Sequence, residues 1–294
     1  MVSRGAAPAP LIVSRSQRAN ADRQQRWVLR KLIGSLSVRI TALFLVFILV
    51  LTACATKPKR AVTPAQPPTG LVPPGPEFET PSFPRGSLKN RILAVANNEW
   101  FYFGQQKVVY GEEEESIPHV GYWEDEGYAH MNRVNLYWKA VNMPQLSGAD
   151  CNQAWSAAFI SWVMRVAGVP EELFPPAKAH WIYLSHIIAN DHSPDTIFYP
   201  RTIREYKPRP GDLICASRES TITPDINEVP RAGWFDNAKL HCDIVVERNG
   251  QTLSAIGGNV RNSVSKSILK LTPEGYLQPT RSRRWFLIVE NRLE

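Results

Sequence analysis

Nine prolines fall between Lys57 and Gly86 with few large apolar residues among them, and this run fixes where a globular fold can begin. Proline lacks a backbone N–H and locks φ, so the stretch can join neither a helix nor a sheet and reads as an extended tether. The chain is expected to divide into a leader over 1–53, a tether over 54–86 and one folded domain over 87–294, which is long enough for a real core.

The leader has a signal-like pattern. Arg15, Arg18, Arg23, Arg26, Arg30 and Lys31 precede an uncharged run from Ile40 to Ala53, shorter than the ~20 residues that span a bilayer. Its last residues, Leu51-Thr52-Ala53-Cys54, resemble a bacterial lipobox. That resemblance implies cleavage before Cys54 and lipidation of its thiol, giving a partner in the membrane through a lipid anchor. With Ala55 rather than Asp after the cysteine, it implies an outer-membrane address facing the periplasm of the bacterial envelope.

Charge excludes one class of partner. Residues 1–53 hold eight Lys or Arg and one acid, so the formal net charge of +7 leaves 26 basic against 26 acidic residues in the remainder. Once the leader is set aside, no basic excess points to nucleic acid.

Within the domain, helix periodicity comes first and strand patterning later. Apolar spacing predicts helices over 88–100, 133–141, 152–167 and 180–190. The third is the strongest, with Trp155, Ala158, Phe159, Trp162, Val163 and Val166 on one stripe and Gly168 and Pro170 beyond it. Strands are predicted over 212–216, 241–247, 252–256, 268–271 and 285–289, with Pro208-Arg209-Pro210-Gly211 and Asn249-Gly250 as turns. The expectation is an α+β domain in which a central helix packs on an antiparallel meander of about five strands.

Four blocks appear in order: Trp155-Ser156-Ala157-Ala158-Phe159-Ile160-Ser161-Trp162-Val163, Arg209-Pro210-Gly211-Asp212-Leu213-Ile214, His241-Cys242-Asp243-Ile244-Val245-Val246 and Gly257-Gly258-Asn259-Val260. Together they resemble the CHAP and NlpC-type cysteine peptidases and amidases, and most nearly the bacterial branch termed domain of unknown function 2272. The resemblance spans roughly residues 88–290. It implies a papain-like fold, hydrolysis of an amide bond in peptidoglycan, and no cofactor. It also implies a nucleophile at the start of the central helix, where the helix dipole favours an anion, and a strand-borne His as base.

The matching positions here are Ser156, where the family carries Cys, His241 as base and Asn259 as its orienting partner. A hydroxyl ionises far less readily than a thiol, so Ser156 must lose its proton during attack. Gly257 stands where the family often has a carboxylate. Asp243, two residues beyond His241 on the same strand face, is a candidate to replace it. Each residue has a plainer reading: Ser156 as a small packing residue, His241 as a structural histidine, Asn259 as a turn former. A second class of function follows, a catalytically inactive cell-wall or protein-binding module of the same fold.

Other residues complete the reading. Cys151, five residues before Ser156, is set aside as nucleophile on the premise that helix already separates the two by about 7.5 Å. Cys215 and Cys242 lie on strands expected to pair, which makes them the expected disulfide. His180 precedes a helix and could line the cleft, but His180, His186 and His192 lack metal-ligand spacing. The stretch from Ser217 to Leu240, with Trp234 and Phe235, reads as a rim over the site or as a satellite core.

Overall fold

Pro118 and Pro200 decide where two strands go, because a strand with a missing donor is tolerated at a sheet edge and not inside it. In the computed structural model both lie in edge strands of one eight-stranded sheet. The structure describes residues 86–192, 196–218 and 224–294. The leader over 1–53, Cys54 and the tether up to residue 85 lie outside the described residues.

The described residues form four helices and eight strands, in the order α1 (Leu88–Tyr102), β1 (Lys107–Tyr110), β2 (Glu115–His119), α2 (Gly127–Lys139), α3 (Ser156–Ala167), α4 (His180–Ala189), β3 (Phe198–Thr202), β4 (Leu213–Ser217), β5 (Leu240–Asn249), β6 (Thr252–Val260), β7 (Ser263–Lys270) and β8 (Arg284–Asn291). The sheet order is β2-β1-β7-β6-β5-β4-β8-β3. The α+β class holds, whereas the expectation of about five strands falls short. The missed strands β1, β2 and β3 are only four or five residues long, too short for alternation to stand out. Nor is the sheet purely antiparallel, since β1 runs parallel to β7. The run β4-β5-β6-β7 follows the expected meander, but its expected fifth strand, β8, pairs beside β4 instead of β7.

The sheet is curled. Four strands separate β1 from β8 in its order, yet Tyr110 on β1 meets Trp285 on β8 with ring centroids 6.3 Å apart. Nearby, the Arg281 N–H donates to Glu112 O at 2.8 Å. Curling gives the sheet two buried faces. On the concave side Tyr110, Ile214, Val245, Leu253, Trp285 and Ile288 form one core. On the other, Phe159, Val163, Leu213, Ile244 and Ile256 form the larger core with the helices.

Two adjacent glycines allow close approach on opposite faces of β6. A Cβ on Gly258 would sit 2.5 Å from Phe159 Cβ, so α3 lies directly on the strand backbone there. A Cβ on Gly257 would sit 1.7 Å from Asp243 Oδ1, so that carboxylate occupies the space a side chain would take.

Helix α3 begins at Ser156 rather than at 152. The Asp150 carboxylate accepts from the Ser147 N–H at 2.8 Å and its carbonyl accepts from the Gln153 N–H at 2.8 Å. Local bonding of this kind holds the preceding residues in turns. At the other end Gly168, at φ 86°, closes the helix in the left-handed region.

Cys215 and Cys242 are opposed in the β4–β5 register and form a disulfide, with Cα atoms 4.2 Å apart. In the stretch from Ser217 to Leu240, Phe235 is fully buried against Phe286, with ring centroids 5.4 Å apart, while Trp234 is exposed. The satellite-core reading therefore fits Phe235.

Candidate active site

Ser156 is the first residue of α3, and Trp155 before it is an N-cap with no side-chain capping bond. The opening N–H groups of a helix have no intrahelical acceptors, so the serine stands at a positive end of the dipole. Its hydroxyl is almost fully buried, at 2% exposure, and a buried hydroxyl needs a partner. That partner is His180.

Ser156 Oγ lies 2.6 Å from His180 Nε2. Here the sequence reading needs correction, because it gave the serine to His241. His180 is the first residue of α4, a helix that lies against β3 and β5, and its ring reaches the start of α3. On the far side of the ring, Nδ1 lies 2.5 Å from the Tyr183 hydroxyl. His180 and Tyr183 are three residues apart on one helix and so share a face. That spacing is the signal by which the pair could have been found. A second correction concerns access: His180 and His241 are 4% and 2% exposed, so no open groove exposes either ring.

His241 sits near the start of β5 and its Nε2 donates to Asp243 Oδ1 at 2.6 Å. The other carboxylate oxygen accepts from Ser267 Oγ on β7 at 2.8 Å. Strand alternation puts His241 and Asp243 on one face, and Gly257 leaves room for the carboxylate between them. Among the described residues no hydrogen bond reaches His241 Nδ1. The two imidazoles lie edge to face, with ring centroids 5.6 Å apart.

Burial sets the protonation of both rings. It pushes His180 well below the usual imidazole range, and neighbouring His241, Arg218 and Arg283 push it further. His241 is lowered mainly by burial as well, with Asp243 opposing the shift. Both are neutral at pH 7. Burial alone would raise Asp243, but His241, Arg283 and the Ser267 hydroxyl outweigh it and hold the carboxyl below its ordinary value. Tyr183 is raised well above its usual range by burial and by Asp243, so its hydroxyl keeps its proton.

Asn259 belongs to a different network. At φ 56° it lies within β6, where the pairing with β7 is irregular between Gly257 and Val260, and not in a turn as its plainer reading expects. Its Nδ2 donates to Glu124 Oε2 at 2.8 Å, and the Trp155 indole N–H donates to the same oxygen. The side chain is thereby drawn away from His241. Burial raises the Glu124 carboxyl above its ordinary value despite these two donors. Glu124 sits in the acidic run Glu124-Asp125-Glu126, and nothing in the sequence separates it from its solvated neighbours. What it does is clamp Trp155, and with it the start of α3.

Cys151 lies in a turn before α3 and is half-buried, so the helical separation expected between it and Ser156 does not exist. Among the described residues no group of three His, Cys, Asp or Glu is placed to hold a metal ion, and no helix is long and apolar enough to cross a membrane.

The family model described as "Uncharacterized protein conserved in bacteria (DUF2272)" matches residues 121–290. That is more than half of the chain, and the protein belongs to this family. No curated protein and no solved structure matches it.

Proposed function

We propose that this family member is an acyl hydrolase of the bacterial envelope that cleaves an amide bond in peptidoglycan, with Ser156 as nucleophile and His180 as its proton acceptor. The observation that carries the reading is the 2.6 Å contact between Ser156 Oγ and His180 Nε2 at the start of a buried helix. In the tautomer this needs, Ser156 donates to Nε2 while the Nδ1–H donates to Tyr183. On attack, Oγ bonds to the acyl carbon and its proton passes to Nε2. The negative charge that develops on the acyl oxygen falls beside the unbonded N–H groups of the first turn of α3. His180 then returns the proton to the leaving amine, and water releases the acyl group by the reverse sequence.

His241 and Asp243 support this arrangement from the neighbouring ring. Tyr183 holds His180 Nδ1, and the His241 ring, bonded to Asp243, lies edge to face against His180. The papain-like fold and the peptidoglycan substrate are part of the same proposal. So is the attachment, in which Cys54 carries lipid and residues 54–86 hold the domain away from the outer membrane. Replacing Cys54 with Ala should then move the protein from the membrane fraction to the soluble fraction.

One observation favours a second reading. Ser156, His180, His241 and Asp243 are all under 5% exposed, so substrate must open the site. A binding module that kept the fold without the chemistry would need no opening. Digestion of purified peptidoglycan, followed by mass spectrometry of the products, separates the two. Wild type should release fragments that Ser156→Ala and His180→Ala do not. Equal background release by all three would leave only the binding module.

A further inference from the structure

Where the sheet curls and β1 meets β8, three donors lie together without acceptors. The Arg283 guanidinium carbon sits 5.2 Å from the ring centroid of Tyr110 and 5.8 Å from that of Trp285. Those rings are in edge-to-face contact at 6.3 Å. Arg283 Nη1, the Tyr110 hydroxyl and the Trp285 indole nitrogen are each buried with no hydrogen-bond partner. Tyr110 and Trp285 are both 1% exposed, while Arg283 is half-buried and so remains in touch with solvent.

This arrangement is held in place. Thr280 Oγ1 donates to the Arg283 carbonyl at 2.8 Å and accepts from the Arg283 N–H at 3.2 Å. The Trp285 N–H donates to the Arg283 carbonyl at 3.0 Å. Among the described residues no carboxylate forms an ion pair with Arg283. Guanidinium, phenol and indole N–H all donate, and a buried donor without an acceptor costs about 1–3 kcal/mol. A set of this kind fits an acceptor-only ligand that brings negative charge.

We propose that Arg283, Tyr110 and Trp285 form a subsite for a carboxylate on the concave side of the sheet. A planar fork beside two single donors matches the two oxygens of a carboxylate. The positive charge of Arg283 also lowers the pKa of His180, His241 and Asp243. Burial keeps the Tyr110 hydroxyl protonated, with its pKa raised to about 12, so it remains a donor. The subsite goes beyond the hydrolase reading and does not rest on it.

The test is binding without turnover. Thermal unfolding of the full chain is followed in sodium acetate, in acetamide and in sodium chloride at matched ionic strength. Acetate should raise the melting temperature along a saturating curve that neither acetamide nor chloride reproduces. Arg283→Gln should weaken that response at least tenfold, and Tyr110→Phe, which keeps the ring and its packing, should weaken it severalfold. Ser156→Ala should bind acetate like wild type, so failure of the hydrolase reading leaves this outcome unchanged. An acetate curve no different from chloride, or an acetate response unaltered in Tyr110→Phe and Arg283→Gln, would overturn the subsite.

Discussion

The two histidine pairs at the centre of the domain have complementary deficits. On the helical side, His180 holds the Ser156 hydroxyl at 2.6 Å but has only the neutral Tyr183 on its other nitrogen. On the sheet side, His241 holds the Asp243 carboxylate at 2.6 Å, yet no nucleophile is bonded to it. Nucleophile, imidazole and carboxylate are all present, divided between two rings 5.6 Å apart. The comparison teaches that a pair with a nucleophile and a pair with a charge answer to different tests. The first should govern turnover, the second the stability of the fold.

The largest effect should separate the pairs by activity. Ser156→Ala and His180→Ala should each reduce turnover by about 10³-fold or more. His241→Ala, acting through neighbours, should cost much less. Initial rates on solubilised peptidoglycan would break the comparison if His241→Ala proved as inactive as His180→Ala.

Stability should show the opposite ranking. Asp243→Ala removes the partner of a buried imidazole and of Ser267, and should lower unfolding stability by about 3 kcal/mol in urea titration. Gly257→Ala should cost a similar amount, because its Cβ would displace the same carboxylate. In an Asp243→Ala background that substitution should cost under about 1 kcal/mol, and this non-additivity is what a double-mutant cycle would read. Additive losses would mean that Gly257 and Asp243 do not share that space.

The disulfide sharpens the sheet side. Cys215 and Cys242 are 27 residues apart in sequence, and opening a loop of that size should cost about 3 kcal/mol. Replacing both with Ser should lower stability by that amount while leaving the Ser156–His180 contact, and the relative rates of the variants above, unchanged.

The smallest effect is in the pH dependence of stability. Both imidazoles titrate below their unfolded value of about 6.5, so between the two values the unfolded chain binds more protons than the folded one. Stability is therefore fully present above pH ~6.5 and should fall as the solution is acidified, by up to about 1.4 kcal/mol per pH unit for each ring. Asp243, also lowered, adds its loss only below about pH 4. His180→Gln should flatten the first part of that slope. An unchanged slope would show that His180 is not held neutral.

Legibility followed the physical range of each signal. The helices near Ile92, Phe159 and Tyr183 stood out because burial repeats with helical period, and Cys215 with Cys242 because strand alternation constrains a pair across a ladder. Asp243 was legible for the same reason, from its two-residue offset to His241. The edge strands β2 and β3 were hidden by length and proline. His180 was visible only as a residue before a helix. Which ring meets Ser156 depends on how α4 packs on β3 and β5, a long-range contact that no local pattern encodes. Glu124 was hidden for a similar reason, since an acidic loop residue turns inward only when Trp155 and Asn259 are brought to it.

Covalent labelling tests the division of roles most directly. Incubation with a fluorophosphonate probe, followed by mass spectrometry of the digested protein, should place the adduct on Ser156 in wild type and in His241→Gln, and abolish it in His180→Gln. An adduct that persists in His180→Gln and vanishes in His241→Gln would contradict the account.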